Sequence, residues 1–313
     1  MIVSASRRTD IPAYYSHWFL NRIKEQYVLV RNPMNIHQIS KVNLSPDVVD
    51  CIVFWTKNPE PMIDKLDKLK GYNFYFQFTL NSYSNDIEKN IPSKNRCLIE
   101  TFKRLSAKIG AERTIWRYDP IFLNQKYTAE YHSEYFEKLA KHLSNYTEKC
   151  TISFMDFYPT IKNNIVSLGI TEMTKMQQWD IAEQLSRIAF KYGLKMDTCC
   201  EGIDLSKLGI RHAKCIDGDL ISRIIGSSLS VEKDKNQRLE CGCVSSIDIG
   251  LYNTCCNGCK YCYANHSLAV LQKNREGYDM NSPLLCSHAR PGDIISERSV
   301  RSLKDNQISL LPT

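Results

Sequence analysis

The chain has 313 residues, 43% of them hydrophobic, enough to bury a sizeable core in one large domain or two modest ones. Its formal charge of +7 comes from 41 basic and 34 acidic residues spread without a Lys/Arg block; this favours an anionic ligand and leaves nucleic acid an open but weakly signalled partner class. No charged leader with an apolar core opens the sequence and no apolar run reaches the roughly 18 residues of a membrane helix, so a cytoplasmic location without membrane contact is expected.

In chain order, short runs rich in β-branched and aromatic residues predict buried strands at 2–6, 27–31, 51–56, 74–80, 113–118, 150–155 and 194–199. The run at 27–31 has a second reading, as a hairpin with 38–42 across Asn32, Pro33 and Asn35. Helical spacing fills most intervals, at 18–25, 62–69, 97–109, 129–143 and 176–192, and Gly193 stands as a C-cap for the last. Residues 202–237 read as one or two further helices. Such alternation predicts parallel strands with right-handed helical crossovers. The expected fold is α/β, a (β/α) barrel, complete or partial, over residues 1–240, with a cysteine-rich segment, 241–313, packed on it.

Polar residues crowd the predicted strand ends: Ser6-Arg7-Arg8-Thr9-Asp10, Thr56-Lys57-Asn58, Arg117-Tyr118-Asp119, and Asp156 with Tyr158. In a parallel barrel these ends share one face, where active sites are built. Arg7, Arg8, Lys57 and Arg117 converging there would form an anion site. The plainer alternative pairs Arg7 and Arg8 with Asp10 and Asp119 in an ion network that holds the rim. Trp55 and Trp116, near the same ends, are expected in the core.

Thirteen cysteines, an odd number in a large chain, point to reduced thiols or metal ligands rather than a disulfide framework. In "NTCCNGCKYCYAN", residues 253–265, the spacing C-x3-C-x2-C holds for Cys255, Cys259 and Cys262, with Tyr261 before the third and Cys256 a bystander. Three thiolates on one short loop can each ligate a different iron of a cubane [4Fe-4S] cluster and leave the fourth iron open. Cys215, Cys241, Cys243 and one of the Cys199–Cys200 pair, Cys200 in the first instance, are candidates for a second [4Fe-4S] cluster; the competing reading makes them small core residues, as expected for Cys51, Cys97 and Cys150. The rival readings are another kind of iron–sulfur cluster, or zinc on Cys241, Cys243, Cys259 and Cys262, in a protein of electron transfer or nucleic-acid binding. A hydrolase using Asp10, Asp119, Asp156 and Glu201 has no supporting motif.

The cysteine spacing with its preceding aromatic resembles the cluster motif of radical S-adenosylmethionine (SAM) enzymes. The resemblance implies SAM bound at the open iron, reductive cleavage to a 5′-deoxyadenosyl radical, and an electron donor such as a flavodoxin or ferredoxin; the substrate is unknown. Ser6, Arg7, Arg8, Asp10, Lys57, Arg117, Asp119 and Tyr261 are the candidates to contact the cofactor. In that superfamily the motif follows the first barrel strand, whereas here it lies past residue 250. Residues 246–252 would deliver the loop and 267–272 form the helix after it, a permuted arrangement in which a loop after a late strand takes the place of one after the first.

The whole chain resembles the bacterial and archaeal family called domain of unknown function 1848, through "SASRRTDIPAYYSHWF", "VRNP", "VFWTKNPEPM", "WRYDPI", "SFMDFY", "NQRLECGCVSSIDIGLYNTCCNGCKYCYAN" and "SPLL". That resemblance implies iron–sulfur binding near the C-terminus and carries no substrate. The cysteine loop is then expected to fold back onto the face where Arg7, Lys57 and Arg117 emerge.

Overall fold

The computed structural model describes residues 1–305, so 306–313 of the expected cysteine-rich segment lie outside the described residues. In chain order the strands are β1 (Ile2–Ala5), β2 (Tyr27–Asn32), β3 (Asn35–Asn43), β4 (Cys51–Thr56), β5 (Phe74–Thr79), β6 (Thr114–Ile121), β7 (Lys149–Phe154), β8 (Lys195–Thr198), β9 (Arg211–His212), β10 (Ile247–Asp248) and β11 (Ile294–Glu297). Eight form one parallel sheet in the order β10-β1-β4-β5-β6-β7-β8-β9. This is the α/β architecture that alternation predicts. Hydrogen bonds do not close the sheet into a barrel, because β9 and β10 are two residues each and no ladder joins them among the described residues. A backbone bond from the Val244 N–H to the Ile216 carbonyl, 3.1 Å, links the segments beside these end strands.

Period-two alternation sorts the strand side chains onto two faces. Val3, Ile52, Phe54, Phe76, Phe78, Trp116 and Tyr118 pack against helices Ser16–Glu25, Ile99–Ile109, Ala129–Leu143 and Lys175–Lys191. Ile2, Val53, Tyr75 and Ile115 point the other way, onto helix Gly218–Ile225 and onto Ile216, Cys241, Cys243 and Val244. Residues beyond 240 are therefore built into the interior of the sheet as well as laid upon it. Helix Lys175–Lys191 opens with a capping box between Thr174 and Gln177, and Gly193 after it adopts φ 69°, which suits a residue without Cβ.

β2 and β3 form the hairpin that was the second reading of residues 27–31, in register from Tyr27↔Asn43, and β11 joins β3 in parallel. It stands outside the main sheet. Most consequential for the site is β10. Val3 pairs with Ile247 and Ser4 with Asp248, so the last strand of the main sheet lies beside the first. Asp248 locks the seam: it accepts hydrogen bonds from Ser4 Oγ (2.8 Å), Ser6 Oγ, the Arg7 N–H (2.9 Å) and the Gly250 N–H (2.9 Å). Among the described residues, no helix is long and apolar enough to cross a membrane.

Candidate functional site

A cavity of about 600 Å³ opens over the carboxyl ends of the parallel strands. In parallel α/β sheets this is where ligands bind, because the loops that vary are gathered there while the strands hold them rigidly. The cavity is lined by Ser6, Arg7, Arg8 and Asp10 after β1, Lys57 after β4, Arg117 and Asp119 on β6, and Tyr261 on the cysteine loop. Cys255, Cys259 and Cys262 form part of its wall, and so do Cys199, Cys200, Cys215, Cys241 and Cys243. All the residues singled out from the sequence as cofactor contacts or ligands therefore border one space.

The cysteine loop follows β10 directly, and two neighbouring segments dock it. Tyr14 donates to Asn257 Oδ1 (2.8 Å), Asn257 Nδ2 donates to Asp10 (3.1 Å), and the Tyr15 hydroxyl donates to the Thr254 carbonyl (2.6 Å). On the other side the Asn90 N–H donates to the Asn257 carbonyl (3.0 Å), and the Lys260 N–H to that of Ile87 (3.0 Å). Gly258 adopts φ 67° and lies so close to Asn90 that a Cβ would stand 3.2 Å from its side-chain nitrogen. The loop's exit is fixed by Asn253, at φ 54°, whose Oδ1 accepts from the His266 and Ser267 N–H groups before helix Leu268–Glu276. The three thiols of the spaced motif all face the cavity, whereas Cys256 does not border it.

Burial pushes the Cys255, Cys259 and Cys262 thiols up; the other cysteines of the motif add to this for Cys255 and Cys259, while Lys57 opposes it at Cys259 and Cys262. Without a bound cation these sulfurs stay protonated, and a metal would displace the protons. Among the described residues, no three or more His, Cys, Asp or Glu side chains already stand as a ready metal site.

Sequence reasoning missed Glu88, the electrostatic centre of the loop's contact with the sheet. It is 1% exposed and pairs with Lys57 Nζ (2.8 Å) and Lys94 Nζ (2.8 Å), and it accepts from the Tyr261 hydroxyl and from Asn81 (3.3 Å). Burial alone would raise its carboxyl, but the two ammonium groups outweigh that and hold it at about 2. Nothing in the stretch around Glu88 marks it, since it lies in a polar loop. Asp248 had a signal, as an acid inside the apolar run "SIDIGLY".

Several expected residues spend their polar capacity inside the protein. Asp10 is fully enclosed, accepting from the Ala13 N–H (3.1 Å) and the Lys57 N–H (2.8 Å) besides Asn257. Arg117 is clamped on Asp119 through Nε (3.1 Å) and Nη2, and gives Nη1 to the Cys215 sulfur (2.9 Å). The rim network of Arg7 and Arg8 with Asp10 and Asp119 is replaced by other pairs. Arg7 reaches Asp234 at 3.8 Å and Arg8 reaches Asp248 at 4.0 Å, because Asp119 is taken by Arg117 and Asp10 by backbone donors. These long contacts leave both guanidinium groups with donors for a ligand. Trp116 is core, as expected, but Trp55 lines the cavity with the Arg7 guanidinium 5.8 Å from its ring.

On the far wall Cys199, rather than Cys200, meets Cys215, with the sulfurs 3.1 Å apart. Cys200 adopts φ 60°, which turns it to the cavity mouth near Arg238. Glu201 sits next to it, buried enough that its carboxyl is pushed up to about 7, and it accepts from the Phe154 N–H (2.8 Å). Asp156, grouped with it in the hydrolase reading, pairs instead with Arg238 at 2.7 Å.

No curated protein matches the chain. The family model named domain of unknown function DUF1848 matches residues 2–264, ending just past Cys262 and leaving the "SPLL" stretch at 282–285 outside. Spanning both the strand-end residues and the complete cysteine motif, that match makes the chain a member of the DUF1848 family.

Proposed function

We propose that the protein is an iron–sulfur enzyme of the radical SAM type, with Cys255, Cys259 and Cys262 holding a [4Fe-4S] cluster and S-adenosylmethionine bound at the iron they leave open. The observation that carries this reading is that the three thiols of one C-x3-C-x2-C loop face a single cavity of about 600 Å³ over the ends of parallel strands. The donor set fits the group. Three soft thiols on one short loop, Cys255 buried and Cys259 and Cys262 half-buried, suit separate irons of a cubane, whose ligands need not converge on one point as those of a single ion must.

When bound, the cluster and SAM supply one-electron cleavage and a hydrogen-abstracting carbon radical. The chain's own residues do the rest. Arg7 and Arg8, whose ion pairs are long, offer donors to an anionic group such as the SAM carboxylate. Lys57, fixed by Glu88, places a positive charge beside Cys259 that favours the thiolate. Tyr14, Tyr15 and Asn257 hold the loop in place. The substrate is left unnamed, and a flavodoxin or ferredoxin is the proposed electron donor.

Anaerobic reconstitution followed by iron and sulfide analysis tests the metal, and incubation with SAM and dithionite tests the reaction by release of 5′-deoxyadenosine. A colourless protein that binds stoichiometric zinc, or an intact cluster that never cleaves SAM, would refute the proposal.

A further inference from the structure

Beyond the loop at 255–262, the opposite wall of the cavity carries thiols arranged in a way that core packing does not explain. Cys199 follows β8, Cys215 follows β9, and Cys241 and Cys243 precede β10, so three separate segments deliver four sulfurs to one place. These run as a chain of contacts. Cys199 touches Cys215 at 3.1 Å, and Cys215, Cys243 and Cys241 lie near enough in turn to shift one another's thiols. The cysteines that serve as small core residues look different. Within their strands, Cys51 and Cys150 direct their sulfurs at the carbonyl of the next residue, at 3.8 and 4.0 Å, while Cys97, also expected in the core, is exposed.

The surroundings of the quartet are those of sulfur carrying negative charge. Arg117 Nη1 donates to the Cys215 sulfur at 2.9 Å, and the Ile216 N–H donates to the Cys243 sulfur at 3.3 Å. Arg7 bears on both Cys215 and Cys243 across the cavity. A neutral thiol is a poor acceptor and gains little from two guanidinium groups and an amide, whereas metal thiolates are stabilised by such donors. Among the described residues these sulfurs do not yet stand as a closed metal site, so binding would draw them together.

We propose that Cys199, Cys215, Cys241 and Cys243 ligate a second metal centre, an all-thiolate site facing the first across the shared cavity. Four thiolates with no other donor select an iron–sulfur cluster or zinc, and the test separates the two. The centre stands on residues distinct from Cys255, Cys259 and Cys262 and does not depend on what that loop binds.

The full chain, purified anaerobically, is loaded with ferrous iron and sulfide or, separately, with Zn²⁺, and bound metal and sulfide are counted per protein. Expected is a loss of about four irons with their sulfide, or of about one zinc, in Cys215→Ser/Cys243→Ser. Cys200→Ser should lose none. Cys255→Ala/Cys259→Ala should lose only the loop's share, so the two centres fail separately. Metal content equal to wild type in Cys215→Ser/Cys243→Ser overturns the proposal. Should that variant not fold, wild-type alkylation decides. Peptide mapping with iodoacetamide must show the four thiols protected after loading and modified after chelation. Equal modification in both states, or a Cys199–Cys215 disulfide in the anaerobic protein, overturns the centre.

Discussion

Replacing Glu88 with Gln removes the negative charge that two lysines and the Tyr261 hydroxyl share, and it does so in a place where water cannot substitute. The structure sets the magnitude. The Glu88 carboxyl drops from 4.5 to about 2 on folding, which at about 1.4 kcal/mol per pH unit corresponds to about 3 kcal/mol of stability near neutrality. Breaking a buried ion pair by removing one partner costs about 3–5 kcal/mol, in the same range. For a chain of 313 residues a loss of about 3–5 kcal/mol is a fall in melting temperature of about 5–8 °C. A depressed carboxylate contributes stability in full above its unfolded value, and the contribution drains away as pH falls towards the folded value. Melting of wild type and Glu88→Gln is followed by circular dichroism at pH 7, 5 and 3. The gap should be full at pH 7, little changed at pH 5 and narrowed at pH 3. A gap below about 2 °C at pH 7, or one that persists undiminished at pH 3, would show that Glu88 does not carry the load assigned to it. Removing all three charges in Lys57→Met/Glu88→Leu/Lys94→Met should recover part of the loss, since no charge is then left buried alone.

Three further outcomes follow from other contacts. Gly250→Ala places a Cβ 2.1 Å from Ser6 Oγ, which Asp248 holds, so a destabilisation of about 1–3 kcal/mol is expected in urea unfolding; an unchanged midpoint would mean the seam between β1 and β10 gives easily. Cys259→Ala should abolish both iron uptake by the 255–262 loop and 5′-deoxyadenosine release, while Cys256→Ala leaves them intact; equal loss in both variants would contradict the ligand set. Glu201 has its carboxyl raised to about 7, so the folded state holds a proton that the unfolded state releases near 4.5, and stability falls as pH rises between the two. Glu201→Gln keeps an acceptor for the Phe154 N–H and should melt with wild type at pH 5 but above it at pH 8; parallel curves would refute this.

Local signals carried much of the fold. Strands such as Cys51–Thr56 and Phe74–Thr79 announce themselves because both faces are buried, which leaves nearly continuous apolar runs. β9 and β10 do not, being two residues each, with pairing set by distant neighbours rather than by their own composition. Site residues at strand ends, Arg7, Lys57 and Arg117 among them, were legible because a parallel sheet forces its carboxyl ends onto one face. Which partner each would take was not. Arg117 chose Asp119 two residues along its own strand, and Lys57 chose Glu88, a residue with no local mark. The choice between Cys199 and Cys200 turned on one backbone angle, φ 60° at Cys200, which adjacent identical residues cannot reveal.

The pairing of β1 with β10 joins residues some two hundred and forty positions apart, with Ser4 against Asp248. A ribosome completes the first strand long before the last, so the edge of β1 waits with its backbone groups unmatched while nearly the whole sheet is made. The thiol loop comes later still. The cavity thus has a late-arriving wall, and closing so long a loop is slow compared with the local steps before it. A chain cut short before the loop would display its cationic strand ends without the thiols that share their cavity.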